Sequence, residues 1–305
     1  MSTTTAPAPA SRHTAGSHAL SFGGVLRSEW IKFRSLPSTV ILSIAAFVAV
    51  VGIAALVAFI RVQAITSIMN GTGGPRGPGA VPGAVPVQLT AEQAEKVLPP
   101  SFSLYNMPDA GLQIGILVLG SLAVLFLASE YGTGMIRSTF TAVPRRIPAF
   151  AAKAVVLVVV SYVLTTIAAV VSFLIALPII NSANLGLDFA RDGVISSIFM
   201  GGLYVAGVSL IGLSLAALVR NSAGAIAILM GMFFLLPFAA NFLALIPGDF
   251  WKYVPQYIPS ETGGQMLAIG HVDGVLDPLP AGLIFLGYVL VFLIPAVLTV
   301  KRRDV

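Results

Sequence analysis

The stretch LIFLGYVLVFLIPAVLTV, residues 283–300, decides the fold class. Thirteen of its residues are Leu, Ile, Phe or Val and none is charged. At about 0.3–0.6 kcal/mol for each such residue near a bilayer centre, it favours insertion by roughly 4–8 kcal/mol as an upper bound. A helix crossing a hydrocarbon core of about 30 Å needs about 20 residues. Blocks of comparable character lie at 38–60, 110–129, 150–180, 194–219 and 223–246, and the quoted stretch belongs to a sixth at 280–300. The chain of 305 residues is 57% hydrophobic and only 10% charged, whereas soluble domains carry roughly 25% charge. An all-α integral membrane protein of about six transmembrane helices is expected, with Pro237 and Pro295 each placed to kink a span.

Charge sets the expected orientation. Twelve Lys and Arg residues fall on the side that holds residues 12–34, 137–153, 220 and 301–303, against five on the other side. The positive-inside rule therefore places both termini in the cytoplasm. The net charge of +5 is explained by bases at span ends, which argues against nucleic acid as a partner. Without cysteine, disulfides, thiolate metal sites and cysteine nucleophiles are excluded. The first apolar run begins only near residue 38, so a spanning segment is expected there rather than a cleavable signal peptide.

Between the spans, residues 1–19 are Ser, Thr, Ala, Pro and Gly-rich and are expected to be a disordered cytoplasmic tail. Residues 20–37 mix Phe22, Val25, Trp30 and Phe33 with Arg27, Glu29, Lys32 and Arg34, the pattern of an amphipathic helix in the membrane interface. The six-span domain follows over 38–305. Its first outer segment holds a Gly/Pro linker at 71–86 and a helix candidate at 90–97. Its second, 247–279, is too apolar for a solvated loop and is expected to dip back into the outer leaflet. Gly111 and Gly115 form a GxxxG pattern, weak evidence for a dimer face on its own.

Catalytic signals are missing. No GxxxxGK[ST], HExxH or GxSxG occurs, so the chain is not expected to bind nucleotide by a phosphate-binding loop or to act as an enzyme. His13, His18 and His271 lie away from paired carboxylates, and neither a metal nor a cofactor is expected. The span interiors carry Ser, Thr, Tyr and Asn241 rather than midplane charges, which disfavours a proton- or sodium-driven transporter.

Two patterned segments remain: SEWIKFRS at 28–35, and EYGTGMIRST at 130–139 followed by VPRR at 143–146 and AAK at 151–153. Together, and in their order relative to the spans, they resemble the membrane-spanning permease subunits of ABC-2 type ABC transporters, whose bacterial members commonly show SEWxKxRS and EYxxGxIRxT…PxR…xxK. The resemblance runs over almost the whole chain and implies a type V exporter-like fold with an N-terminal interfacial helix and a cytoplasmic coupling helix between spans 2 and 3. It also implies a homodimer in the cell membrane, working with two copies of a separate ABC ATPase subunit that binds the ATP. On this basis Glu130, Tyr131, Gly132, Gly134, Arg137, Pro144, Arg145 and Arg146 are the candidate coupling residues, and Glu29, Trp30, Lys32 and Arg34 mark the interfacial helix.

The residues agree with a coupling device independently. Gly132 and Gly134 break span 2 where it leaves the membrane, Met135 opens a short helix over 135–141, and Pro144 ends it. Glu130 is the one acid in that loop and is expected to pair with Arg137, Arg145 or Arg146, though a partly solvated helix-end carboxylate is the plainer alternative. The competing functional class is a membrane assembly or signalling partner that transports nothing. For topology, reporter fusions at Gly79 and Gly264 should read outside and those at Ser138 and Val305 inside; a cytoplasmic signal at Gly264 removes span 5 or span 6.

Overall fold

The computed structural model describes residues 21–69, 107–135, 146–182, 188–243, 251, 253–269 and 275–302. Of these, 91% are helical and none forms a strand. The tail at 1–19, the linker at 71–86, the candidate helix at 90–97 and the loop helix beyond Met135, with Arg137, Pro144 and Arg145, lie outside the described residues.

Helix α1 (Phe22–Ser35) starts where the Ser21 hydroxyl accepts the Gly24 N–H at 3.1 Å, a side-chain cap. After Leu36 the chain turns into α2 (Pro37–Met69), and the Thr39 hydroxyl donates to the Leu36 and Phe33 carbonyls across that corner. Then come α3 (Met107–Thr133), α4 (Arg146–Asn181) and α5 (Val194–Val219). The fifth span is built from α6 (Ser222–Met230), a π turn at Gly231–Leu235 and α7 (Leu236–Leu243). A 3-10 turn (Val254–Tyr257), the short helix α8 (Pro259–Gln265) and α9 (Pro278–Arg302) complete the chain.

Among the described residues, six helices are long and apolar enough to cross a membrane. The boundaries of α5 match the sequence reading, while α2 runs on from residue 60 to Met69 and so takes Arg61 into the helix. The single base interrupted the apolar block without supplying a Gly or Pro stop, and helical hydrogen bonding continued through it.

The expected kink at Pro237 takes another form. Proline lacks an N–H and its ring crowds the carbonyl four residues back, here that of Phe233. Phe233 lies inside the π turn, and the Leu236 N–H bonds to the Gly231 carbonyl. The wider turn absorbs the misfit without breaking the span. Asn241, the polar side chain expected to serve packing, donates back to the Pro237 carbonyl at 2.9 Å, which satisfies a carbonyl beside the proline. A further proline, Pro178, sits inside α4 and was not foreseen as a kink site.

Helix α5 is the centre of the bundle: 78% of its span is buried, against 17% for α2. It packs on α3, α4 and α9. Lipid tails are as apolar as Leu, so close backbone approach and polar contacts must hold these helices together. The Ser161 and Ser209 hydroxyls meet at 2.8 Å between α4 and α5, and Gly212 lies against the Gly120 backbone of α3. The GxxxG pair is used in the same way within the chain. A Cβ at Gly111 would strike the Val50 backbone of α2, and one at Gly115 would meet the Val50 side chain at 2.6 Å. Gly111 and Gly115 therefore form the seat of α2 on α3, which replaces the dimer-face reading.

At the end of the bundle opposite α1, α8 packs under α5 and α9. The Tyr204 hydroxyl donates to the Ser260 carbonyl at 3.3 Å, and Tyr288 donates to the Tyr257 carbonyl at 2.8 Å. Both bonds hold the N-terminal side of α8, the second through the 3-10 turn that precedes it.

Gly111→Leu should lower the thermal unfolding midpoint in detergent, because overpacking against backbone costs about 1–3 kcal/mol. Gly287→Leu, where no atom lies within 4 Å of an added Cβ, should leave it unchanged. Equal midpoints for the two variants would refute the α2–α3 seat.

Candidate functional site

Four charged side chains from three helices meet at one end of the bundle. Lys153 on α4 places its Nζ 2.7 Å from Glu29 Oε2 and 2.9 Å from Glu130 Oε1. Lys32, one turn from Glu29 on α1, lies 2.8 Å from Glu29 Oε1 and 3.2 Å from Glu130 Oε1. Two carboxylates and two ammonium groups alternate around a closed square with no net charge. Glu29, Glu130 and Lys153 are buried at 1%, 7% and 3% exposure, and the Lys32 side chain is the outermost at 27%.

Local sequence explains how the square forms. Val25, Glu29 and Phe33 recur every four residues, so they share the face of α1 that turns inward. Lys32 is at i,i+3 from Glu29 and reaches around the helix to the same carboxylate. Ala149 and Ala152 of α4 let α1 approach closely beside Val25. Lys153 then points inward, with its ammonium 4.0 Å from the centroid of the Phe126 ring, a cation–π contact that adds to the two carboxylates. Phe126 in turn meets Phe33 edge to face at 5.5 Å.

Burial alone would raise the Glu29 carboxyl, but the Lys153 ammonium foremost, with Lys32 behind it, holds it below its ordinary value of 4.5. Desolvation likewise works against a charged Lys32, yet Glu29 and Glu130 keep its ammonium above its ordinary value of 10.5. All four charges of the square are therefore paired and hydrogen-bonded, the condition under which such groups are tolerated.

Several expectations change here. Glu130 pairs with Lys32 and Lys153; of the arginines expected as its partner, Arg137 and Arg145 lie outside the described residues. The pairing was missed because Lys153 was read as a base marking the start of a span. Yet it lies two helical turns inside α4, beyond Arg146, at a depth where a lysine requires a carboxylate. The four interfacial residues divide between two faces: Glu29 and Lys32 belong to the square, while Trp30 and Arg34 are exposed. Gly132 stays helical, and the break is made by Gly134 alone, whose φ of 73° is the left-handed conformation that ends a helix. Tyr131 is half-buried beside the square, with the Arg220 guanidinium 5.4 Å over its ring, so the α5–α6 corner joins the same end. Arg146 opens α4.

An open apolar groove of about 590 Å³ runs along the outside of α4, α5 and α9, lined by Met200, Leu203, Leu283, Leu286 and Val289 among others. Among the described residues no cluster of His, Asp or Glu could hold a metal ion. No family model and no curated protein sequence matches the chain.

Removing one member of the square leaves a buried charge without its partner. Lys153→Met should destabilise the chain by about 3–5 kcal/mol, and Lys153→Met/Glu130→Gln, which leaves the Glu29–Lys32 pair, should recover much of that in detergent unfolding. Because the folded Glu29 carboxyl binds its proton more weakly than an unfolded one, its contribution is present above pH 4.5 and lost as pH falls below it. The raised Lys32 contributes below pH 10.5, and its share is lost as pH rises past that value. A midpoint that holds steady from pH 6 to well below 4.5 in the wild type would count against the square.

Proposed function

We propose that this chain is the membrane-spanning permease subunit of an ABC-2 type ABC transporter, with the end bearing the ion square in the cytoplasm. Two copies enclose a translocation path, and separate ATPase subunits bind and hydrolyse the ATP. The observation that carries this reading is the square itself: it locks α1 to the end of α3 and the start of α4, the two helices that flank residues 136–145. A force applied by a partner to α1 or to that loop passes into α3 and α4 together, and from them to the central α5. A solvated loop on flexible side chains would lose the motion as slack.

The paired motifs SEWIKFRS and EYGTGMIRST support the same reading, because the residues they contribute to the square come from both. The base distribution of twelve against five supports the cytoplasmic placement of that end and of both termini. The apolar groove and the absence of midplane charge among the described span residues favour an apolar or amphipathic cargo, moved outward as the resemblance implies.

The test is purification in mild detergent from the native membrane. An ATPase subunit should come down with the chain, the chain by itself should hydrolyse no ATP, and turnover should appear with the partner. Glu130→Ala should retain membrane insertion yet lose most of the partner binding or coupled ATP turnover, while Lys96→Ala on the other side should keep both. A chain that purifies from native membranes with other membrane proteins and never with an ATPase would replace the permease reading with an assembly or signalling role.

A further inference from the structure

Helix α1 has a second face that the ion square does not use. Gly23, Arg27, Trp30, Ile31 and Arg34 line up along one exposed stripe, opposite the buried Val25, Glu29 and Phe33. Trp30 and Ile31 are 46% and 55% exposed. Neither Arg27 nor Arg34 has a carboxylate partner among the described residues.

Beneath the stripe lies a groove of about 370 Å³ between α1 and α4, walled by Leu26, Val155, Val156 and Val159, with Arg27 and Trp30 at its mouth. A second recess of about 250 Å³ opens on the other side of Trp30 and is lined by Ile31, Arg34 and Ser35. Trp30 stands between the two, its indole stacked on Phe33 at 6.3 Å and 11°. Each recess thus pairs apolar wall with a guanidinium that has no carboxylate partner among the described residues. The valine wall runs down α4 from the level of Lys153 toward the middle of the span.

We propose that this is a binding site for one anionic phospholipid. An acyl chain lies against Val155 and Val159, the indole of Trp30 sits at the glycerol level, and Arg27 binds the phosphate, with Arg34 adding positive field. Guanidinium suits phosphate because its planar fork donates two parallel hydrogen bonds. A groove alone would accept any acyl chain, and arginines alone would attract any anionic surface; their juxtaposition selects a lipid that has both a chain and a negative headgroup. The occupant would touch Trp30, which stacks on Phe33, which meets Phe126, which lies under Lys153. The lipid is therefore linked to the ion square through three aromatic side chains in succession. The site rests on α1 lying at the membrane surface, a part of the proposed function, and not on ATP coupling.

Trp30 is one of the chain's two tryptophans, so Trp251→Phe leaves it as the single fluorophore. That variant is reconstituted into phosphatidylcholine bilayers containing a small fraction of either brominated phosphatidylglycerol or brominated phosphatidylcholine. Trp30 quenching should show several-fold enrichment of the brominated phosphatidylglycerol, and Arg27→Gln should lower that enrichment about fivefold. Val155→Phe/Val159→Phe, which fills the groove and leaves both arginines, should also lower it. Equal quenching by the two lipids, or full preference in Arg27→Gln/Arg34→Gln, would overturn the site. Competition by free inorganic phosphate would make it an anion site and overturn the lipid assignment. Absence of quenching by either lipid would remove α1 from the membrane surface altogether, whereas failure to recover an ATPase partner leaves the lipid result standing.

Discussion

Two carboxylates and two ammonium groups that neutralise one another in an apolar setting are the constraint on which this end of the molecule depends. Glu29 and Lys153 are almost wholly withdrawn from water, and burying either without a partner would carry a large desolvation cost. Their pairing therefore dictates where α1 lies. The helix cannot lift away from α4 without exposing or orphaning charge, and Glu130 extends the same demand to α3. A buried ion pair is weak evidence for stability, since an apolar replacement of equal shape often does as well. What the square supplies is a fixed register between three helices, two of which border the loop that the proposed ATPase partner would contact.

The rest of the bundle meets the membrane problem by contact geometry. With little hydrophobic driving force between helices in lipid, α5 is held by glycine seats and by the Ser161–Ser209 hydrogen bond, and α2 is held on α3 by Gly111 and Gly115. Proline is accommodated by a π turn ahead of Pro237. At the far end, Tyr204 and Tyr288 fasten the short helix α8 to α5 and α9. The added Cβ of any residue at Gly263 would collide with the Tyr204 ring, so that close approach is reserved for glycine. The two ends are thus built differently, one by charge and one by tyrosine hydroxyls and small residues.

The two faces of α1 connect these features. Its inner face carries the square and its outer face carries Arg27 and Arg34 on either side of Trp30, with an aromatic relay, Trp30 to Phe33 to Phe126, running between them. A helix of 14 residues can serve both purposes because the four-residue recurrence of Val25, Glu29 and Phe33 leaves the other side free.

The sequence by itself determined the solvent of this protein and its helices. Uncharged apolar blocks of span length and the scarcity of charge require lipid, and backbone hydrogen bonding in lipid requires helices; α5 could be bounded to the residue because Gly193 and Arg220 flank an uninterrupted apolar run. Glu29 and Lys32 were also visible as charges of an interfacial helix, and Glu130 as the one acid of the loop after span 2. Tertiary structure alone decided their partners. Glu29 and Lys153 are 124 residues apart, and linear spacing cannot report which helices meet when the spans that receive α1 are apolar on all sides. The GxxxG pair was ambiguous for the same reason, since a small-residue seat looks identical whether the helix that occupies it belongs to this chain or another.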